Sequence, residues 1–450
     1  MGSPYGNMIQ PTTAAFIANP MATASSIGPN ALIAAIVLPF FYLAVYLDYA
    51  ISRHQGRDDY EIKDTVGSLG VSIMMSALGT TTILVRLAIY TLAYEYLALW
   101  QWSPANPWTW VIGLLLYDFT YYWQHRMGHE WNLLWASHGV HHSSDRFNLA
   151  TALRVPSASM HLWTWMFALP LALLGFPPAV YAVAALLNLL YQFWIHTERI
   201  GSLGRFDRWF GSPSNHRVHH GVNERYLDKN YGGILMCWDH LFGTFEDERA
   251  DDPVRYGTRA PVRSFNPLWI NLDSVWALCK DAMRADRWSE RLSLWWRRPG
   301  WRPARAAQLD PKPAFDLSAH QHFDAPALPG LPAYALAQMA LLPAQLVHLI
   351  AVATWLPWQP ELAYGLYLSL GSVSLGLLIS SDSTRQRLGL ALELARLGLS
   401  AGLALSGQWF GELALPGWAG ATIAIVAGLS ALWLARRMWR APQAPLASTP

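Results

Sequence analysis

Long apolar segments set the strongest limit on what this chain can fold into. Nine segments are long enough to cross the roughly 30 Å hydrocarbon core of a bilayer as helices. They lie at 31–50, within 66–98, at 107–124, 158–175, 178–196, 331–356, 361–380, 387–408 and 416–435. Only 14% of the 450 residues are charged, whereas a soluble domain carries about a quarter. The sequence therefore predicts an all-α, polytopic integral membrane protein with nine transmembrane helices.

The basic residues indicate how these spans are oriented. Cytoplasmic loops are enriched in Lys and Arg, whereas exported loops are not. With nine spans, the exported segments are 1–30, 101–106, 176–178, 357–360 and 409–415, and none contains Lys or Arg. We therefore expect the N-terminus outside and the C-terminus in the cytoplasm. Only four of the 32 basic residues are lysines, which favours a bacterial source and so a bacterial cytoplasmic membrane.

Composition divides the chain into five segments. We predict an exported N-terminal segment at 1–30, a membrane-embedded core with a cytoplasmic histidine cap at 31–250, a cytoplasmic or interfacial connector at 251–330, a C-terminal region of four membrane helices at 331–436, and a disordered tail at 437–450. In the C-terminal region, Arg396 lies inside a span and Glu393 is its predicted helical partner.

Charge and cysteine usage exclude several classes of protein. The net charge of +2 gives no basic excess for binding nucleic acid. Cys237 and Cys279 are too few for a disulfide framework or a thiolate metal site.

The histidines form the pattern that points to function. Ten of the fifteen lie between His125 and His220. Nine of these ten fall into motifs, namely His125 with His129, then His138, His141 and His142, then His196, and finally His216, His219 and His220. Residues three or four apart share one face of a helix, whereas an adjacent residue is rotated by about 100°. Each His-His doublet can therefore serve two metal ions. Nine imidazoles also exceed the three or four ligands of one zinc ion, which predicts a di-metal site.

The ligand type limits the choice of metal. Imidazole suits iron, zinc, copper or nickel better than magnesium or calcium. Neutral imidazoles leave the charge of two divalent ions uncompensated, so we expect nearby carboxylates to hydrogen-bond the ligands. The candidates are Asp118, Glu130, Asp145, Glu198 and Asp239. Helix capping or surface exposure is the alternative role for Asp145 and Glu198. The predicted topology brings all nine histidines to the cytoplasmic face.

The order and spacing of these histidine motifs resemble those of the fatty acid hydroxylase and sterol desaturase superfamily of integral-membrane, non-haem di-iron oxygenases. The segments 140–154, 192–198, 214–220 and 228–245 resemble in particular its alkylglycerol monooxygenase branch, which also has extra C-terminal spans. The resemblance implies that the nine patterned histidines bind two iron ions. Many members place a further histidine where Gln192 stands here, and a Gln carbonyl oxygen can still bind a metal or hold a water. The match around Trp238–Phe245 favours Asp239 as a residue that supports the metal site.

The resemblance also implies a reaction. It predicts hydroxylation of a lipid alkyl chain with O₂ and two external electrons, at the ether-adjacent carbon of an alkylglycerol, with release of an aldehyde. The electron donor is either tetrahydrobiopterin or a separate protein, since no cytochrome or ferredoxin domain is fused to the chain. A fatty acyl, sterol or carotenoid hydroxylase or desaturase is the alternative within the class. A metal transporter or a zinc hydrolase is the alternative outside it, although a zinc hydrolase would need only three of the nine histidines.

Overall fold

A computed structural model describes residues 29–155, 163–353, 356–410 and 413–439. Most of the predicted exported segment 1–30 and of the predicted tail 437–450 lies outside the described residues, as does part of the predicted span 158–175. The chain divides into two compact units, one formed by 44–324 and the other by 1–43 together with 325–450. The predicted boundaries of the five segments stay predictions.

Helices build the unit 44–324. In chain order they are the end of α1 (Pro29–His54), α2 (Ile62–Leu97), α3 (Pro107–Glu130), α4 (Asn132–His142), α5 (Leu149–Ala152), α6 (Trp165–Leu173), α7 (Pro178–Trp194), α8 (Pro213–His219), α9 (Cys237–Phe242), α10 (Pro267–Arg284), α11 (Trp288–Ser293) and α12 (Ala304–Leu309), with 3-10 turns at Gly204–Arg208 and Leu294–Trp296.

Side-chain caps set where α3 and α8, two of the histidine-bearing helices, begin. Asn106 caps α3 by accepting a hydrogen bond from the backbone N–H of Trp108 at 3.0 Å, and Pro107 occupies the first helical position, where no N–H is needed. Ser212 caps α8 in the same way, again before a proline. These caps fix the start of two helices that carry patterned histidines at their far ends.

Helix α3 is the structural centre of this unit. It packs against α4, α6 and α7. A Cβ atom at Gly113 would overlap the side chains of Val180 and Phe176, so glycine permits the close approach of α3 and α7. Further along α3, buried Asp118 accepts hydrogen bonds from the backbone N–H of Ile234 at 2.8 Å and the indole of Trp238 at 2.9 Å. The histidine-bearing end of α3 is thereby fixed to the segment that leads into α9.

The second unit contains four long apolar helices after residue 325. They are α13 (Leu331–Val352), α14 (Trp358–Leu378), α15 (Ser383–Leu405) and α16 (Gly417–Trp439), with a two-residue hairpin of β1 (Gln408–Trp409) and β2 (Leu413–Ala414). Helix α15 packs against α14 and α16. The guanidinium of Arg396 donates to both carboxylate oxygens of Glu393, at 2.6 and 2.8 Å, and both side chains are buried. The predicted helical ion pair is thus confirmed.

The all-α prediction is confirmed, because the only strands in the described ranges are β1 and β2. Among the described residues, five helices are long and apolar enough to cross a membrane, at Ile36–His54, Leu331–Val352, Trp358–Leu378, Ser383–Leu405 and Gly417–Arg437. The other four predicted spans fall on helices that do not meet the same criterion. Among them, α2 is one continuous helix of 36 residues, and α6 is a helix of nine residues in the described part of the predicted span 158–175. A total of nine spans stays a prediction.

Candidate metal centre

Three helices and one helix end supply the patterned histidines. His125 and His129 lie in the last turns of α3, and α4 carries the next three. His196 follows the end of α7 directly, and α8 with its C-terminal cap residue supplies the last three. Residues from 125 to 220 therefore converge because α3, α4, α7 and α8 end at one place.

The nine imidazoles form two groups. The first group is His125, His129, His138, His142 and His219, and the second group is His141, His196, His216 and His220. Within each group, the potential ligand atoms all lie within 4.8 Å of one another. Each His-His doublet is divided between the two groups, as the helical rotation between adjacent residues predicts.

Nε2 atoms face one another inside each group. Their separations are 3.0 Å for His125–His138 and His138–His142, 3.2 Å for His141–His196, 2.9 Å for His196–His216 and 3.2 Å for His216–His220. In addition, the Nε2 atoms of His129 and His219 are buried and have no hydrogen-bond partner among the described residues. Buried polar atoms are normally satisfied, so such an arrangement needs an explanation.

The opposite ring nitrogens explain which way the lone pairs point. Nδ1 of His125 lies 2.8 Å from the carbonyl oxygen of Tyr231, and Nδ1 of His219 lies 3.0 Å from that of Lys229. Nδ1 of His196 lies 2.8 Å from the carbonyl oxygen of Gln192. A carbonyl oxygen only accepts, so each Nδ1 carries the proton and each Nε2 presents a lone pair to its group. Converging lone pairs without donors are the arrangement that a metal ion needs.

Burial keeps the imidazoles neutral. Removal from water lowers the pKa of His138 and His142 in the first group, and of His216 and His220 in the second, well below the usual range. Neighbouring imidazoles lower these pKa values further, because adjacent imidazolium charges repel. A neutral imidazole is the form that binds a metal, so these four side chains are suited to act as metal ligands.

Aromatic rings cover both groups. The ring of Phe147 lies 5.6 Å from that of His196 and 5.1 Å from that of His220, measured between centroids. On the other side of Phe147, Tyr256 stacks at 5.0 Å and lines a cavity of about 610 Å³ that is rich in charged side chains. In the first group, Tyr231 lies 5.3 Å from the ring of His129. These rings keep water away from the imidazoles.

Comparisons with known proteins agree with this geometry. The family model of the fatty acid hydroxylases matches residues 110–244, which include all nine histidines. The alkylglycerol monooxygenase of Danio rerio is 36% identical over 329 residues, which are 73% of each chain. That of Xenopus tropicalis is 35% identical over 311 residues, 69% of each chain. This chain belongs to the fatty acid hydroxylase family.

A third relative extends the same result. The human alkylglycerol monooxygenase is 38% identical over 269 residues, and this match spans 59% of each chain. No solved structure matches the chain. The family membership confirms the predicted resemblance and indicates a lipid-hydroxylating monooxygenase. Together with the histidine groups, it also indicates an iron site.

Of the carboxylates that the sequence suggested, Asp239 has the shortest connection to a patterned histidine, through the single residue Tyr231. It is fully buried and accepts hydrogen bonds from the backbone N–H of Tyr231 at 2.8 Å and of Gly232 at 2.7 Å. The carbonyl group of Tyr231 contacts His125, so Asp239 and His125 are linked through the backbone of one residue. A role for Asp239 in supporting the metal site stays a prediction. Asp118 makes no hydrogen bond or ion pair with any described histidine of the two groups and instead accepts hydrogen bonds from the segment 234–238.

The other three carboxylates contact different groups. Glu130 pairs with Arg126 at 2.8 Å, Asp145 pairs with His322 at 3.7 Å, and Glu198 is hydrogen-bonded to the phenol of Tyr256. Burial raises the pKa of Glu198. In the part of the chain that the structure describes, none of the three makes a hydrogen bond or ion pair with a histidine of either group. No contact therefore supports a role for these three carboxylates in binding or orienting the imidazoles.

Gln192 supports the site through its backbone. Its side-chain oxygen accepts a hydrogen bond from the phenol of Tyr121 at 2.8 Å, and its amide donates to Asn188. Its carbonyl oxygen, by contrast, accepts from His196. The side chain is thus engaged by two neighbours, and a role for it as a tenth ligand stays a prediction.

Sequence reasoning included residues 228–231 in the matching segment 228–245 but assigned them no role at the histidines. Oδ1 of Asp228 lies 3.4 Å from Nδ1 of His129, and the carbonyl groups of Lys229 and Tyr231 hold two further histidines. Asp228 and Asn230 adopt left-handed backbone conformations, with φ values of 58° and 55°. Asp and Asn tolerate this conformation better than other non-glycine residues. The presence of Asp228 and Asn230 on either side of Lys229 was therefore the sequence signal for a turn at this point.

Proposed function

We propose that this chain is a membrane-bound, non-haem di-iron monooxygenase that hydroxylates a lipid alkyl chain, with one iron ion in each histidine group. The observation that carries the proposal is the division of nine imidazoles into groups of five and four, with the potential ligand atoms of each group within 4.8 Å of one another. Four or five nitrogen ligands suit one ion each, whereas a single zinc ion would leave at least five histidines without a role.

Bound iron would supply the activation of O₂ that no protein side chain can provide. The residues of the chain do the rest. The carbonyl groups of Tyr231, Lys229 and Gln192 orient three imidazoles by accepting their Nδ1 protons. Phe147 and Tyr231 cover the two groups and exclude water. Exclusion of water protects an oxidising site from unproductive reactions.

The proposed substrate is an alkylglycerol, which is the substrate named in the relatives with 35–38% identity. One oxygen atom of O₂ enters a C–H bond of the carbon next to the ether oxygen. Two external electrons and two protons reduce the other oxygen atom to water. The resulting hemiacetal breaks its C–O bond and gives a fatty aldehyde and glycerol. The electrons come from tetrahydrobiopterin or from a separate donor protein.

The proposed setting is a bacterial cytoplasmic membrane with nine spans, the N-terminus outside and the histidine groups facing the cytoplasm. The absence of Lys and Arg from the five expected exported segments supports this topology. Labelling of single cysteines introduced at Ser103 and at Ser318 with a membrane-impermeant reagent in intact cells tests it. Ser103 is expected to react and Ser318 to be protected, and the reverse pattern would overturn the orientation.

The substrate proposal is tested with purified, ferrous-loaded protein in mild detergent. The assay compares an alkylglycerol with a monoacylglycerol of equal chain length, with tetrahydrobiopterin or a chemical reductant, and detects the aldehyde by mass spectrometry. Aldehyde from the ether lipid alone is the expected result. Hydroxylated acyl product instead would favour a fatty acyl hydroxylase, and no product from either lipid would reject both.

A further inference from the structure

The two histidine groups differ in what holds their outer ring nitrogens. In the second group, His196 is held by the carbonyl group of Gln192, and His141 by the backbone of Arg154. Both partners are neutral. In the first group, the segment 228–231 supplies two carbonyl groups and also the carboxylate of Asp228, whose Oδ1 lies 3.4 Å from Nδ1 of His129. The first group therefore has a negative charge beside one of its ligands.

The segment that carries Asp228 is held firmly. The amide of Asn230 donates to the carbonyl oxygens of Asn215 at 3.1 Å and Glu246 at 2.8 Å. Its side-chain oxygen accepts from the backbone N–H of Glu246 at 2.9 Å. Asp239 binds the next two backbone N–H groups. The left-handed conformation at Asp228 is thus maintained from the following residues, and it directs the carboxylate to His129.

We propose that Asp228 makes the two metal affinities unequal. It acts through His129 and raises the affinity of the first group for its ion. A carboxylate beside Nδ1 makes the imidazole a stronger donor at Nε2 and fixes its ring. The neutral backbone partners of His196 and His141 in the second group carry no such charge. Asp228 is a positioning residue here, because it acts through His129. The inference rests on the proposed function only in that two ions bind.

The test is a metal titration that needs no turnover. Purified protein is titrated with Co²⁺ or Zn²⁺, and the two dissociation constants are measured with a competing chelator. The Asp228→Asn variant keeps the size of the side chain and its tolerance of a left-handed backbone. We expect its tighter constant to weaken by about 10- to 100-fold, and the other to stay unchanged. The matched control is Asp251→Asn, an exposed carboxylate paired with Arg249, which should titrate as the wild type does.

Two backgrounds assign the effect to a group. With His141 and His216 replaced by Ala, only the first group stays intact, and Asp228→Asn must weaken the remaining ion and shift its Co²⁺ absorption bands. With His138 and His142 replaced by Ala, only the second group stays intact, and Asp228→Asn must have no effect. Equal effects in both backgrounds would overturn the inference.

A second substitution separates charge from backbone strain. Asp228→Gly removes the carboxylate and also relieves the left-handed conformation, so it should weaken the first ion as Asp228→Asn does. Wild-type affinity in both variants would reject the inference while leaving two bound ions and the proposed function intact. A wild-type protein that binds no metal would reject the proposed function itself.

Discussion

His141 and His142 are neighbours in the chain, yet their imidazoles belong to different groups. The two ring planes are 85° apart, with centroids separated by 5.5 Å. His219 and His220 repeat this relationship with ring planes 88° apart. The two doublets thus lie at the border between the groups and couple them into one centre.

Single substitutions in a doublet should weaken the binding of different ions. His142→Ala should weaken the binding of the ion in the first group, and His141→Ala that of the ion in the second, so each variant has one weakened and one unchanged metal position. Metal analysis after gel filtration measures this. His240→Ala is the control, because His240 is exposed and lies against the carbonyl group of Arg208. Loss of both ions from either single variant would show that the two groups do not bind independently.

Replacing Asp239 should loosen the segment that holds His125. Asp239→Asn places an amide NH₂ group against backbone N–H donors, and a buried unsatisfied donor costs about 2 kcal/mol. We expect that loss in the free energy of unfolding, together with weaker binding of the first ion. Chemical denaturation and metal titration measure the two effects. The exposed Asp247 gives the control variant Asp247→Asn, and equal stability of both variants would contradict the role of Asp239.

The buried pair in α15 should matter for stability and not for metal binding. Glu393 also accepts hydrogen bonds from Tyr334 at 2.8 Å and Ser374 at 2.7 Å. Glu393→Gln leaves Arg396 without its counter-charge, which costs about 3 kcal/mol. The double variant Glu393→Gln, Arg396→Met should recover much of that loss, as thermal unfolding in detergent would reveal. Metal content should stay at the wild-type level, since all nine histidines belong to the unit 44–324. A fall in metal content would refute this separation.

The ring of Phe147 should control the use of O₂. Phe147→Leu keeps an apolar side chain but removes the ring that lies against His196 and His220. Water then reaches the second group, and O₂ is consumed without product. We expect the ratio of O₂ consumed to aldehyde formed to rise, while metal content stays unchanged. Phe323→Leu is a matched aromatic control, because that ring packs on Phe265. An unaltered ratio in Phe147→Leu would mean that the ring is only a packing residue.

The metal centre was more predictable than its surroundings. Helical rotation alone predicts that His141 and His142 diverge, and spacing alone brings His125 and His129 together on α3. Asp118, Asp145 and Glu198 were harder to place, because their partners come from distant parts of the chain. Asp145, for example, binds the backbone N–H of Phe323, which lies 178 residues later.

The groups that hold the imidazoles carry little sequence signal. Backbone carbonyl groups, such as that of Lys229, are present in every residue, and only the fold directs them inward. The membrane helices also differed in how well the sequence predicted them. The four C-terminal helices are long and mostly apolar and form where predicted, whereas α2 is one continuous helix that extends beyond both ends of a single membrane crossing within 66–98.

The iron content of the purified protein is the most direct test of the proposed di-iron centre. Protein loaded anaerobically with ferrous iron is compared with a variant in which His138, His141 and His142 are all replaced by Ala. We predict about two irons per wild-type chain, with the Mössbauer signature of two ferrous sites, and no tightly bound iron in the variant. One tightly bound zinc ion, or no tight metal at all, in the wild type would contradict this prediction.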